Sequence, residues 1–289
     1  IPDLLEKSRI DEQIVDLLGL RHKVKNDYVA RDEWDKYVQK ILAPKKEITV
    51  AITGKYTSLR DSYASILKSL EHAGTHNGVH VKVTWVDTTD LSENEVAQKL
   101  QGVQGIIVPG AFGSRGSEGK INCIKYAREQ KLPYLGLCYG FQMAVVEYAR
   151  NVCGLTNANS TEIDKETPHP VIDILPEQKE IHSLGGNMRL GGHDVEIKAD
   201  TKAAGLYGSL SVRERFRHRW ECNPSYLELL ESNGLIFSGK APGREIMQIL
   251  ELKNHPFFVG TQMHPEYLSK PLKPHPLYLG FVRGIIDQN

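Results

Sequence analysis

The sequence predicts an α/β protein built on a doubly wound, mostly parallel sheet with an antiparallel extension. Short apolar runs alternate with helical patterns between residues 48 and 150, and strands separated by helices imply parallel βαβ units. The runs, such as I-T-V-A-I-T from Ile48 and G-I-I-V-P from Gly105, are continuous rather than alternating, as in strands covered on both faces. After residue 150 strand-like segments follow one another in hairpin-like succession, which extends the same sheet with antiparallel strands. Sites in such sheets form at the carboxyl ends of the parallel strands, so chemistry is expected along that edge.

The elements follow in chain order. Residues 1–46 are highly charged and poor in strand-like runs; they read as helices over 10–18 and 34–42, stopped at Ala43-Pro44, and as a linker or the tail of something upstream. A second domain, 47–289, begins where the texture turns apolar. In it, Ala64, Leu67 and Leu70 recur at three-residue spacing and predict a helix over 61–73, and V-K-V-T-W-V-D at 81–87 predicts a strand. Ser92 is placed to cap a helix running through Leu100. A strand at 105–109, a helix over 118–130, a strand at 133–137 and a helix reaching Arg150 complete the parallel half. Beyond it, strands are expected over 194–198, 211–223, 235–240, 245–252 and 257–262, with a helix over 224–233 among them.

The 289 residues suffice for a sizeable core, and 36 basic against 36 acidic side chains give no net charge to attract nucleic acid or an anionic membrane. A small molecule is therefore the expected ligand. Cys123, Cys138, Cys153 and Cys222 stand at irregular spacing without a C-x-x-C pair, which argues against a disulfide framework and a zinc site. No run approaches the length of a membrane span, and the opening I-P-D-L-L-E-K-S lacks the features of a signal peptide, so a cytoplasmic enzyme is expected.

One stretch carries chemistry. Gly136, Leu137, Cys138, Tyr139 and Gly140 form G-x-C-x-G between a strand and a helix, the form of a nucleophile elbow. Such a turn strains the nucleophile's backbone, and the flanking glycines keep neighbouring chain from colliding. It also sets the sulfur at a helix N-terminus, where the dipole favours a thiolate and free N–H groups can hold an oxyanion. A cysteine in an apolar segment also reads as plain core, so the pentapeptide leaves both readings open. Cys123, Cys153 and Cys222 have no such setting and read as structural.

A thiol nucleophile needs a base. F-F-V-G-T-Q-M-H-P-E-Y places His264 directly after a strand, with Pro265 holding the chain extended and Glu266 two residues on. Near Cys138, such an imidazole takes the thiol proton and returns it to a leaving amine, while the carboxylate orients the ring. H-P-E is also a plausible surface turn, so the case rests on the two motifs together.

The combination G-x-C-x-G-x-Q with a distant H-P-E resembles the class I (triad) glutamine amidotransferases. G-K-Y at 54–56, P-G-A-F-G-S-R-G-S-E-G-K at 109–120, N-A-N-S-T-E at 157–162, G-G-N-M-R-L-G at 185–191 and E-R-F-R-H-R-W-E at 214–221 narrow it to the glutaminase domain of the CTP synthase family. The resemblance covers nearly the whole chain. It implies a flavodoxin-like glutaminase fold for 47–289, and for 1–46 the end of that family's synthetase domain and the linker after it.

The resemblance also implies roles. Cys138 becomes the nucleophile, His264 the general base and acid, and Glu266 its orienting carboxylate. Phe112, Gln142 and Glu162 would hold glutamine, Glu162 at the ammonium end, and Arg219 would take the α-carboxylate; a carboxylate and a guanidinium so spaced select a free amino acid. The oxyanion would be held by N–H groups of Tyr139 and the 109–113 loop. No cofactor or metal is implied in this chain; ATP and magnesium belong to the synthetase domain, where ammonia would aminate UTP to CTP, and GTP is the implied allosteric activator. The implied partners are glutamine, the N-terminal synthetase domain and further copies in a tetramer.

Four positions depart from the family pattern. Ala111 stands where glycine is usual in P-G-G-F-G, and a Cβ there hinders any positive φ on activation. Tyr139 stands for leucine, Asn187 for threonine and Phe216 for histidine. A dormant glutamine-binding or scaffold domain is therefore the alternative reading. A related cysteine hydrolase is disfavoured by N-A-N-S-T-E and R-H-R-W-E.

Overall fold

The computed structural model of the chain describes residues 2–24, 28–55, 60–175 and 188–288. Helices α1 (Pro2–Lys7), α2 (Ile10–Leu17) and α3 (Tyr28–Leu42) precede β1 (Lys46–Gly54). α3 begins six residues before the expected start, because V-A-R-D-E contains nothing that stops a helix.

The expected alternation then appears as α4 (Ala64–Asn77), β2 (Val79–Asp87), α5 (Glu93–Lys99), β3 (Gly105–Val108), α6 (Ser117–Glu129), β4 (Tyr134–Leu137) and α7 (Tyr139–Asn151). A 3₁₀ turn over Arg60–Tyr63 leads into α4, and Gly78 at φ 73° ends it. At α5 the cap is reciprocal: Glu95 accepts from the backbone N–H of Ser92 at 3.1 Å while the Ser92 side chain caps the first turn.

The second half comprises β5 (Ala158–Ser160), β6 (His169–Asp173), β7 (Arg189–Ile197), α8 (Lys202–Tyr207), β8 (Ser211–His218), β9 (Glu221–Cys222), α9 (Leu227–Ser232), β10 (Leu235–Lys240), β11 (Met247–Leu252), β12 (Phe258–Thr261) and α10 (Pro276–Ile286). The main sheet runs β2-β1-β3-β4-β12-β11-β10-β7-β8. Pairing is parallel from β2 to β12 and antiparallel from β12 to β8, as the fold class requires.

Both faces of the parallel half are covered. Ala51, Ile106 and Val108 pack with Val96, Ile124 and Phe141 of α5, α6 and α7 on one side. The alternate residues Val50, Ile52 and Ile107 pack with Leu70 of α4 and Phe281 of α10 on the other. The strand period of two, applied to an unbroken apolar run, builds both layers at once.

The segment expected as one strand over 211–223 is two. β8 pairs with β7 as far as His218, and Glu221–Cys222 pairs instead with β6 in a small β5-β6-β9 sheet. Arg219 and Trp220 make the step between sheets. Glu221 fixes that step from inside: its Oε1 lies 2.9 Å from both Arg189 Nε of β7 and His218 Nε2 of β8, with the carboxylate fully buried. Burial opposes its charge, and His218 with Arg189 outweighs that and holds the carboxyl below its ordinary value. Tyr56 of G-K-Y and Asn187 of G-G-N-M-R-L-G lie outside the described residues.

Candidate active site

The ends of three neighbouring parallel strands supply the site. The loop 109–113 follows β3, Cys138 follows β4, and His264 follows β12.

Cys138 sits at φ 51° and ψ −96°, a strained conformation for a residue with a side chain, immediately before α7. Its N–H donates to Thr261 O at 2.7 Å and its carbonyl accepts from Gln142 N–H at 3.2 Å. The flanking glycines are required by space. A Cβ on Gly140 would stand 2.2 Å from Val108 O, and one on Gly136 would stand 2.2 Å from the Tyr134 hydroxyl, which itself donates to Gly140 O. The other thiols behave as packing groups: burial pushes Cys153 up, Cys222 further, and Cys123 to about 12.

His264 and Glu266 form the expected pair. His264 Nδ1 lies 2.7 Å from Glu266 Oε1, and the imidazole stacks on Tyr267 with ring centroids 5.2 Å apart. The backbone N–H of His264 donates to Arg215 O at 2.8 Å, which fastens this residue to β8. With Nδ1 bound to Glu266, the buried Nε2 is left for the thiol. Burial opposes the imidazolium, but the Cys138 thiolate and then Glu266 outweigh it and push His264 up to about 11. A Cβ built on Gly110 would lie 3.2 Å from His264 Cε1 and 3.6 Å from Cys138 Cβ, so the loop passes against both residues.

Cys138, His264, Glu266, Ala111 and Phe112 line one cavity of about 410 Å³. Tyr63, Arg217 and Tyr267 are also part of its wall; they fall in stretches that carry the family resemblance, D-S-Y-A-S-I at 61–66 among them, but the sequence reading gave none of them a role. Gln142, Glu162, Arg219 and Tyr139 do not line it. They gather around Gly113 and Trp220 instead. Gly113 N–H donates to Glu162 Oε1 at 2.8 Å, and the Tyr139 hydroxyl donates to Gly113 O at 2.9 Å. Gln142 Nε2 donates to Trp220 O at 2.9 Å, while its Oε1 is buried with no hydrogen-bond partner among the described residues. Arg219 lies over the Trp220 ring at 5.4 Å. Burial raises the Glu162 carboxyl, against the opposing pull of Gly113 N–H, Lys55 and Arg219.

The loop carries two further findings. Ala111 has no positive φ; Gly113 does, at 78°. Behind the loop stands Lys120, 1% exposed, with Nζ 5.0 Å from the Tyr139 ring centroid. Burial and then Lys55 lower its ammonium to about 7. Nothing in S-E-G-K marked this lysine as interior. Among the described residues no group of three or more His, Cys, Asp or Glu side chains is arranged to hold a metal, and no helix is long and apolar enough to cross a membrane.

Residues 58–283 match the model of the family described as Glutamine amidotransferase class-I. The CTP synthase of Archaeoglobus fulgidus is 50% identical over 286 residues, covering 99% of this chain and 52% of that protein. The CTP synthase of Caldanaerobacter subterraneus subsp. tengcongensis is 47% identical over 287 residues, covering 99% of this chain and 53% of that protein. The chain thus spans about half the length of the curated relatives it matches. The solved glutaminase domain of Trypanosoma brucei CTPS, with bound acivicin, is 35% identical and superposes with a TM-score of 0.79, covering 84% of this chain and 95% of that one.

Proposed function

Because this chain belongs to the class I glutamine amidotransferases, and within them to the glutaminase domains of CTP synthases, we propose that it hydrolyses glutamine to glutamate and ammonia through a Cys138 thioester. The observation that carries the reading is the strained elbow at Cys138 facing the His264–Glu266 pair across one cavity.

The chemistry follows from the positions. The Cys138 thiolate attacks the side-chain carbonyl carbon of glutamine. Tyr139 is the first residue of α7, so its N–H has no intrahelical acceptor and is available to the oxyanion, together with N–H groups of the 109–113 loop. His264 Nε2–H gives its proton to the departing nitrogen, ammonia leaves, and the thioester remains. Water then loses a proton to His264 and attacks the thioester carbon; sulfur leaves as thiolate with glutamate as product. Glu266 keeps the imidazole oriented throughout. Phe112, Gln142 and Glu162 hold the substrate, Glu162 at its ammonium end, and Arg219 takes its α-carboxylate.

On the same reading, 1–46 ends a synthetase domain and its linker, and 47–289 is the glutaminase domain. The ammonia serves ATP- and magnesium-dependent amination of UTP to CTP on that synthetase domain, with GTP as activator, in a cytoplasmic tetramer. A second reading, a dormant domain, is favoured by Ala111 in the oxyanion loop and by the engagement of Gly113 N–H with Glu162. The test is to incubate the chain with glutamine, and separately with a glutamine-mimicking electrophile. Glutamate release and mass added at Cys138, both absent from Cys138→Ala, are the expected results. Labelling without glutamate would favour the dormant reading, and neither would overturn the glutaminase reading.

A further inference from the structure

Gln262 lies directly after β12, two residues before His264, and is fully buried. Its Nε2 donates toward Cys138 Sγ at 3.7 Å, a distance suited to an N–H···S hydrogen bond. Its Oε1 receives a long contact of 3.5 Å from Gln142 Nε2. Its backbone N–H donates to Gln248 O at 2.9 Å, which locks the residue to β11.

Which end of each amide points where is fixed by the network. Trp220 O is a carbonyl and only accepts, so the Gln142 atom facing it at 2.9 Å is the NH₂ group. The Gln262 atom facing that same NH₂ must then be an acceptor, which leaves the Gln262 NH₂ toward sulfur. The chain of contacts runs from Trp220 through Gln142 and Gln262 to Cys138.

Sulfur has a competing contact. Arg217 O lies 3.8 Å from Sγ and accepts from the neutral thiol, so it favours S–H. A donor at the same sulfur favours the anion, because a hydrogen bond stabilises whichever protonation state it is made to. Gln262 is that donor. We propose that Gln262 is a further catalytic residue, whose buried amide holds the Cys138 sulfur as a thiolate through an N–H···S hydrogen bond relayed from Gln142. The proton that leaves sulfur passes to His264 Nε2, and no covalent bond to Gln262 forms or breaks.

The inference rests on Cys138 being the nucleophile, and its test does not use glutamine. The rate of Cys138 alkylation by iodoacetamide is measured against pH for the chain and for Gln262→Met and Gln262→Glu, with Cys138→Ala giving the background from the other thiols. The charged groups around the sulfur, His264 with Glu266, Lys120 of α6, Arg217 of β8 and Asp61 on the cavity wall, are the same in every variant. Gln262→Met is expected to move the alkylation midpoint up by about one pH unit, about tenfold slower at pH values below the midpoint, with the limiting rate at high pH unchanged. Gln262→Glu moves it further, because a carboxylate then faces the thiolate. Superimposable pH profiles for all three proteins overturn the proposal. In the unmutated chain, the side-chain amide NMR signal of Gln262 is expected to move across the alkylation midpoint, and a signal indifferent to it overturns the proposal whether or not the variants fold. Intact pH contrast without glutamate release from glutamine would overturn the glutaminase reading and leave this inference standing.

Discussion

The parallel and antiparallel halves of the main sheet enter the site by different means. From the parallel half come side chains and loop amides: Cys138 after β4, His264 after β12, and the 109–113 loop after β3. The antiparallel half contributes mainly backbone carbonyls. β8 is the edge strand, and Arg215 and Arg217, two apart, turn their carbonyls away from β7 to the same side. Arg215 O anchors His264 N–H and Arg217 O touches Cys138 Sγ; beyond the strand, Trp220 O anchors Gln142. An exposed edge is normally a liability. Here it is met by His264 and Cys138. Reactive groups can thus be chosen by side chain on one half while their spacing is set by main chain on the other.

Substitutions in the two halves should therefore fail differently. Cys138→Ala has the largest effect, a loss of glutamine turnover of at least about 10⁴-fold in a glutamate-release assay, with substrate binding retained. Glu266→Gln should lower kcat by about a thousandfold, since the imidazole loses its orienting charge. Its linkage has a definite sign. His264 is raised from 6.5 to about 11, so its contribution to stability is full below the lower value and fades as pH climbs to the higher. Removing the Glu266 charge should shrink that contribution and end the fade at a lower pH in denaturation curves taken across this window.

On the antiparallel side, Glu221→Gln strips the carboxylate between Arg189 and His218 and should cost about 3–5 kcal/mol in urea denaturation. Surviving enzyme should show a raised KM with a smaller change in kcat, because Arg219 and Trp220 move while Cys138 does not. An effect confined to kcat would break the contrast. Lys120→Met acts in the opposite direction. The ammonium is lowered from 10.5 to about 7, so the unfolded chain binds the extra proton and stability rises with pH across that interval. The variant should lose this rise and be more stable at neutral pH, on the order of a few kcal/mol. Ala111→Gly should be smallest, a gain in turnover of less than about tenfold from a freer loop. No gain would show that the loop does not need to flip.

Much of the parallel half was readable because its demands fall on residue type. A turn that admits no Cβ at Gly136 or Gly140 needs glycine, and a proton carrier at a strand end needs histidine. The antiparallel contribution left little such trace, since any residue at 215 or 217 presents the same carbonyl. Gln262 was visible only as the end of a strand; its chemistry depends on what lies across the sheet edge. α10 escaped notice because both Leu277 and Phe281 are buried along with Tyr278 and Val282, so no polar face declares its period. The 211–223 run broke at Arg219 because Glu221, placed among polar residues, is an interior charge.

Cys138 holds a backbone conformation that costs a side-chain-bearing residue roughly 1–3 kcal/mol. Glycine would enter it freely. The most robust sequence at position 138 is then one without sulfur, so drift toward mere durability erases the reactive atom before it erodes the scaffold. A lineage that lost its need for this thiol would be expected to keep the fold, gain in melting temperature, and carry glycine at the elbow.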